Sequence, residues 1–303
     1  MKRILPLLLV LTLGIILGSP LLAQEKPKRS RNPASDRAKV AVEPGKVFVY
    51  KKSGKSPQEL EVYFPPDWTA TKKLPGVILF HGGGWGGGTL DQFRYACRYF
   101  ASRGLVAATA NYQLASREGG GTRKRVCITD AQSAIRWMKE HAAELGIDPA
   151  RIITGGGSAG GHVSMLATLN PALNDPADPP NFDTGVVAYL LFNPAFDPKD
   201  SNDAEVDVLR HLKPGLPPAI FFFGTNDQWK RGTDAARERL KTLGTSRDEL
   251  WIAEGQGHGF FNSPPWQDVT LAEADRFLGR LGLVAGSPTL PPAKNGEALV
   301  KAP

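Results

Sequence analysis

The chain has 303 residues, of which 41 % are hydrophobic and 22 % charged, and no repeat or Pro/Gly/Ser linker divides its middle. That length and evenness suit one domain at the large end of the usual range. The net charge of +7 belongs to the ends: between residue 41 and the tail that begins at Ala285, basic and acidic side chains balance, so nucleic-acid binding has no support. Met1-Lys2-Arg3 opens an apolar run over residues 4–17 that closes on small residues before Gln24. Residues 1–23 read as a secretory signal peptide, with an uncleaved N-terminal anchor as the alternative. The run is short for a membrane span and carries Pro6 and Gly14. The expected location is secreted or periplasmic, with no stable membrane span after cleavage. Residues 24–40 are polar and basic and are expected to be a disordered leader. Residues 41–284 form the expected folded domain, and residues 285–303, rich in Pro, Gly and Lys, an expected disordered tail.

Along the domain, residues 47–50 and 60–64 read as an opening hairpin, the second alternating as a half-buried strand does. Residues 77–80 and 105–110 are unbroken apolar runs, the pattern of strands covered on both faces of a parallel sheet. Between them Phe93, Cys97 and Phe100 have helical spacing, and Gly104 stops that helix. A long helix is expected over residues 129–145, capped by Gly146. Strands follow at 151–154, 186–192, 219–223 and 249–252, with helices after Ser158 and over 234–243 and 268–281. Eight strands alternating with helices give an α/β fold with a mostly parallel sheet. Ligands bind such sheets at the carboxyl ends of the strands, and every chemically interesting residue of this chain lies just past a strand. Cys97 and Cys127 fall in the helical segments either side of one strand. An even count permits a disulfide in an exported protein; whether the sulfurs meet depends on which faces those helices cover.

Gly156-Gly157-Ser158-Ala159-Gly160 sits between a strand and a helix, the context in which G-x-S-x-G makes a tight turn with one exposed hydroxyl. A serine needs a base to take its proton, normally histidine held by a carboxylate. His258, flanked by glycines in a loop between the last strand and last helix, is the candidate base. Asp227, directly after the strand ending at Phe223, is the candidate acid, with Asp197 as its rival. His81 and His162 lie within the glycine scaffolds, where packing and backbone hydrogen bonds suit them better. The run His81-Gly82-Gly83-Gly84-Trp85-Gly86-Gly87-Gly88 can bring backbone N–H groups to a substrate oxygen. It lacks the residues of a phosphate-binding glycine loop.

With HGGGW at 81–85, GGSAGG at 156–161, GTND at 224–227 and GHGF at 257–260, the chain resembles α/β-hydrolase esterases of the hormone-sensitive-lipase-like group. It is similar in particular to bacterial secreted acetyl-esterase and feruloyl-esterase-type proteins. The resemblance implies Ser158 as nucleophile, Asp227 as acid, His258 as base, Gly83, Gly84 and Ala159 as oxyanion donors, and no metal or organic cofactor. Its relatives often carry a large helical cap. Here only about 25 residues separate the strands at 186–192 and 219–223, room for a short helix but not a lid domain. An open cleft suits short-chain, aryl or polysaccharide-linked esters, such as acetylated or feruloylated xylan, better than long-chain lipids. Trp85, Trp229 and Phe260, near predicted strand ends, are candidate substrate-stacking residues, with core or rim packing as the other reading. A peptidase or amidase on the same residues, a lipase, and a non-catalytic binding module are the competing functions. The first usually brings a propeller or large cap, the second a mobile apolar lid, and the third has usually lost one of these residues.

Overall fold

The apolar runs line up as the middle of a nine-stranded sheet, in the order β1-β2-β4-β3-β5-β6-β7-β8-β9. The strands are β1 (Lys46–Lys51), β2 (Gln58–Tyr63), β3 (Leu74–Phe80), β4 (Val106–Ala110), β5 (Ile147–Gly157), β6 (Ala188–Phe192), β7 (Ala219–Gly224), β8 (Asp248–Ala253) and β9 (Val300–Lys301). This is a computed structural model describing residues 42–52, 56–114, 120–245 and 247–303. The expected signal peptide (1–23) and leader (24–40) lie outside the described residues. From β4 to β8 neighbouring strands are parallel, and β1/β2, β2/β4 and β8/β9 are antiparallel.

The sheet is covered on both faces, which explains the unbroken runs. In β3, Ile78 and Phe80 join one core while Val77 and Leu79 join the other, as the two-residue period of a strand requires. In β7, Phe221 and Phe223 point one way and Phe222 the other, each burial contributing about 2 kcal/mol. One face carries α2 (Gly120–Glu140), α4 (Ala159–Leu169) and α6 (Lys230–Thr242); the other carries α1 (Asp91–Ser102) and α7 (Trp266–Arg280). The short α3 (Ala142–Leu145) and α5 (Val208–His211) complete the described helices.

Three expectations need correction. Among the described residues the sheet has nine strands, not eight, and residues 285–303 are ordered. Arg103 Nη2 donates to Ala285 O at 2.7 Å, Leu290 and Leu299 pack against the core under α7, and Ala302 N donates to Leu250 O at 2.8 Å. Composition misled because the order comes from pairing with the β8 edge, which would otherwise stand open, and not from any period within the tail. The long second helix begins nine residues before the expected start: Lys124 pairs with Asp200, and Arg125 with Asp203 and Glu205, so partners elsewhere hold turns that two glycines disfavour. The pairing of the cysteines, left open by the sequence, is decided by the faces: Cys97 on α1 and Cys127 on α2 lie in opposite cores across the sheet, so no disulfide joins them. Burial pushes the Cys97 thiol well up, which suits an inert core residue.

Candidate active site

β5 ends at Gly157 and α4 begins at Ala159, leaving Ser158 alone at the corner with φ 51° and ψ −117°. Such a conformation costs a non-glycine residue of order 1–3 kcal/mol and persists only where the surroundings over-determine it. Here they do. Ser158 N donates to Phe192 O at 3.0 Å, and Ala195 N donates to Ser158 O at 2.9 Å, so the end of β6 and the residues just past it grip the serine backbone from both sides. Close approach makes glycine obligatory at 160, where a Cβ would overlap the carbonyl oxygen of Phe80. Gly160→Ala is therefore expected to destabilise the fold by about 3 kcal/mol, lowering the melting temperature by roughly 10 °C; an unchanged thermal melt would contradict this account of the turn.

The loops after β5, β7 and β8 bring Ser158, Asp227 and His258 together. His258 Nε2 lies 2.8 Å from Ser158 Oγ, and His258 Nδ1 lies 2.8 Å from Asp227 Oδ2. Asp227 is buried, 5 % exposed; its other oxygen accepts from Trp229 N at 2.9 Å, so the carboxylate is held in one orientation. The rival Asp197 is committed elsewhere, accepting from Lys199 N at the head of a 3-10 turn over Pro198–Asn202. His81 and His162 take the structural parts expected of them. Burial holds the His81 imidazole below its ordinary pKa, its Nδ1 is 2.8 Å from Gly82 O, and its ring stacks on Tyr112. His162 Nδ1 accepts from the Trp85 indole at 3.2 Å, leaving Nε2 to donate to Val206 O at 2.9 Å.

The glycine run after β3 folds back over the corner: Gly82 packs against Gly157 and Ser158, and its N–H donates to Gln92 Oε1 at 2.6 Å. Gly83 has φ 122°, a backbone only glycine adopts readily, and Gly83 and Gly84 are both exposed. Ala159, as the first residue of α4, has an N–H with no acceptor within the helix. The substrate-stacking expectation is corrected at two positions. Trp85 is 8 % exposed, packed against His162 with Lys124 Nζ 4.1 Å from its ring centroid. Phe260 is 8 % exposed and packs edge-on against Phe261 and Trp266. Trp229 is half-buried, its ring 6.3 Å from His258, and alone of the three stands beside the cleft.

Two contributors were not singled out from the sequence. Gln92 links Gly82 to Asn262, donating to Asn262 Oδ1 at 2.9 Å, and Asn193, fully buried, reaches His258. Helical spacing shows Gln92 only as a polar residue of α1. Asn193-Pro194 reads as a turn at a strand end. Between β6 and β7 lie only the 3-10 turn and four-residue α5, and His258 is exposed, so among the described residues the cleft has no lid.

A parallel sheet with a serine corner after β5, an acid after β7 and a histidine after β8 defines an α/β-hydrolase. The BD-FAE family model matches residues 60–194. Carboxylesterase NlhH of Mycobacterium tuberculosis is 37 % identical over 237 residues, covering 67 % of this chain and 71 % of that protein. The apo form of Thermogutta terrifontis esterase 2 superposes with a TM-score of 0.75 at 36 % identity, over 82 % of this chain and 98 % of that one. The same esterase is known with propionate bound, with butyrate bound and phosphorylated by paraoxon. The chain belongs to the α/β-hydrolase esterases of the hormone-sensitive-lipase-like group, and it is a carboxylic-ester hydrolase.

Proposed function

We propose that this hydrolase works through an acyl-enzyme on Ser158 and acts on short-chain or aryl esters, its natural substrates being esters carried on polysaccharide, such as acetylated or feruloylated xylan. The observation that carries the reading is the relay from buried Asp227 through His258 to Ser158, both links 2.8 Å long. Ser158 Oγ attacks the ester carbonyl carbon as its proton passes to His258 Nε2, and Asp227 stabilises the resulting imidazolium. The N–H groups of Gly83, Gly84 and Ala159 receive the oxyanion, each donor supplying on the order of 3 kcal/mol of transition-state stabilisation. The acyl carbon–oxygen bond then breaks, the alcohol leaves with the proton from Nε2, and water repeats the cycle in reverse to free the acid.

Short acyl groups are supported by the lidless cleft and by the propionate and butyrate held by Thermogutta terrifontis esterase 2. The polysaccharide preference rests on that openness, on the half-buried Trp229 at the rim and on the export signal read in residues 1–23. A panel of para-nitrophenyl esters from acetate to laurate, with acetylated xylan and methyl ferulate, tests both parts. Acetate to butyrate are expected to turn over fastest, with acetate or ferulate released from plant cell-wall material. A preference for laurate overturns the short-chain assignment, and activity confined to small soluble esters overturns the polysaccharide one. Paraoxon is expected to inactivate the enzyme by leaving its diethylphosphoryl group on Ser158 with loss of nitrophenolate. Mass spectrometry of the Ser158 peptide reads that adduct, and one mapped to another residue would refute the acyl-enzyme.

A further inference from the structure

Three non-glycine residues among those described have positive φ: Trp85, Ser158 and Asn193. Trp85 and Ser158 belong to the glycine run and the nucleophile corner. Asn193, at φ 40° and fully buried, has no place in the relay, yet it pays the same conformational cost. Its neighbours explain where it stands. Phe192 and Ala195 make the two backbone bonds that fix Ser158, and Asn193 N donates to Phe222 O at 2.8 Å. Its side chain turns the other way, towards the loop that carries His258.

We propose that Asn193 is a positioning residue for the base, resting on the acyl-enzyme reading above. Its Oδ1 accepts from Gly259 N at 3.3 Å, which fixes the opposite end of the amide as nitrogen. That Nδ2 lies 3.2 Å from His258 Nδ1 and 3.3 Å from Nε2. Both ring nitrogens are already engaged in the ring plane, one with Asp227 and the other with Ser158. A group equidistant from the two braces the ring rather than replacing either partner. One short segment therefore sets the nucleophile by its backbone and the base by its side chain, so the two are registered to each other and not separately to the sheet. The residue type follows: asparagine tolerates the left-handed region better than other side chains, and it offers a donor and an acceptor from one planar group. The exposed His258, on a glycine-flanked loop, has little else to hold it.

The test compares three variants, with turnover counted per paraoxon-titratable Ser158 so that misfolded molecules do not enter. Asn193→Ala is expected to lower kcat by about 100-fold, the effect of a displaced reacting group, with KM within about twofold of wild type because substrate contacts are untouched. Asn193→Gly relieves the backbone at φ 40° and removes the brace; it is expected to fold at least as well as the alanine variant and to remain as slow. Asn193→Asp keeps the shape and the acceptor for Gly259 but sets a second carboxylate against the ring, favouring the imidazolium. The acid limb of its kcat/KM profile is expected to move to higher pH. A glycine variant with wild-type kcat assigns Asn193 to backbone geometry alone and overturns the proposal, as does an aspartate variant with an unmoved pH profile. Should Ser158→Ala retain full turnover, the proposal falls with the reading beneath it, and that control tells the two failures apart.

Discussion

Ser158→Ala is expected to reduce kcat on para-nitrophenyl acetate by about 10⁶-fold while the melting temperature stays within roughly 2 °C. The size of the loss follows from what the hydroxyl does. In the proposed reaction it is the atom that forms the covalent bond, and no neighbouring group replaces it. The residual rate belongs to the glycine-run donors and to substrate positioning, which survive the change. The fold should survive because the ties at residue 158 are made by backbone, to Phe192 and from Ala195, and among the described residues the hydroxyl bonds only to His258. Kinetics and a thermal melt on the same preparation decide it. Undiminished turnover with intact folding removes Ser158 from the chemistry.

Asp227→Asn should cost about 10⁴-fold in kcat, by analogy with the same change in serine proteases. A carboxylate accepts the Nδ1 proton of His258 and leaves Nε2 free to take the proton of Ser158. An asparagine amide in its place can donate to Nδ1, which puts the imidazole proton on Nε2 and blocks that transfer. Asparagine still accepts from Trp229 N, as Asp227 Oδ1 does at 2.9 Å, so the turn after β7 is kept. Asp197→Asn is the paired control. Asparagine caps a turn as well as aspartate does, and Asp197 spends its side chain on Lys199 N, so turnover within about twofold of wild type is expected. If the two variants exchange their effects, the acid belongs to the strand before.

The residues of the relay were legible in the chain because each follows a strand whose apolar run announces it. Ser158 came with its glycines, Asp227 followed the run ending at Phe223, and His258 followed the last strand. The sheet was legible for the same reason, since a strand buried on both faces leaves an unbroken apolar trace. Features that depend on contact between distant segments left no such trace. The order of residues 285–303 is borrowed from the β8 edge, and the early start of α2 from carboxylates about 80 positions away. Trp85 and Phe260 lie beside strand ends exactly as stacking residues would, yet burial against His162 and Trp266 turns both inward. Asn193 was hidden by its own suitability for turns: Asn-Pro after a strand has an ordinary explanation, and only φ and the distance to His258 reveal a second one.

The double grip on Ser158 also divides the β6–β7 connection into a part that is fixed and a part that can be lengthened. Up to Ala195 the chain holds Ser158, and Phe196 presses on Gly232 of α6. Asp200, Asp203 and Glu205 are anchored to α2, and Val206 receives His162. Beyond α5 the ties to α2 and to Ser158 give way to a turn flanked by the buried Leu212 and Leu216. Lys213, Pro214 and Gly215 are exposed, and nothing lies within 4 Å of a Cβ placed at Gly215. A segment added to this esterase without disturbing its site has its splice point there. Gly215 N donates to Thr245 Oγ1 at 3.1 Å just ahead of β8, so the turn stands at the amino ends of the strands, away from the cleft; chain inserted there leaves Ser158 and His258 their spacing, whereas the same insertion twenty residues earlier would pull the two out of register.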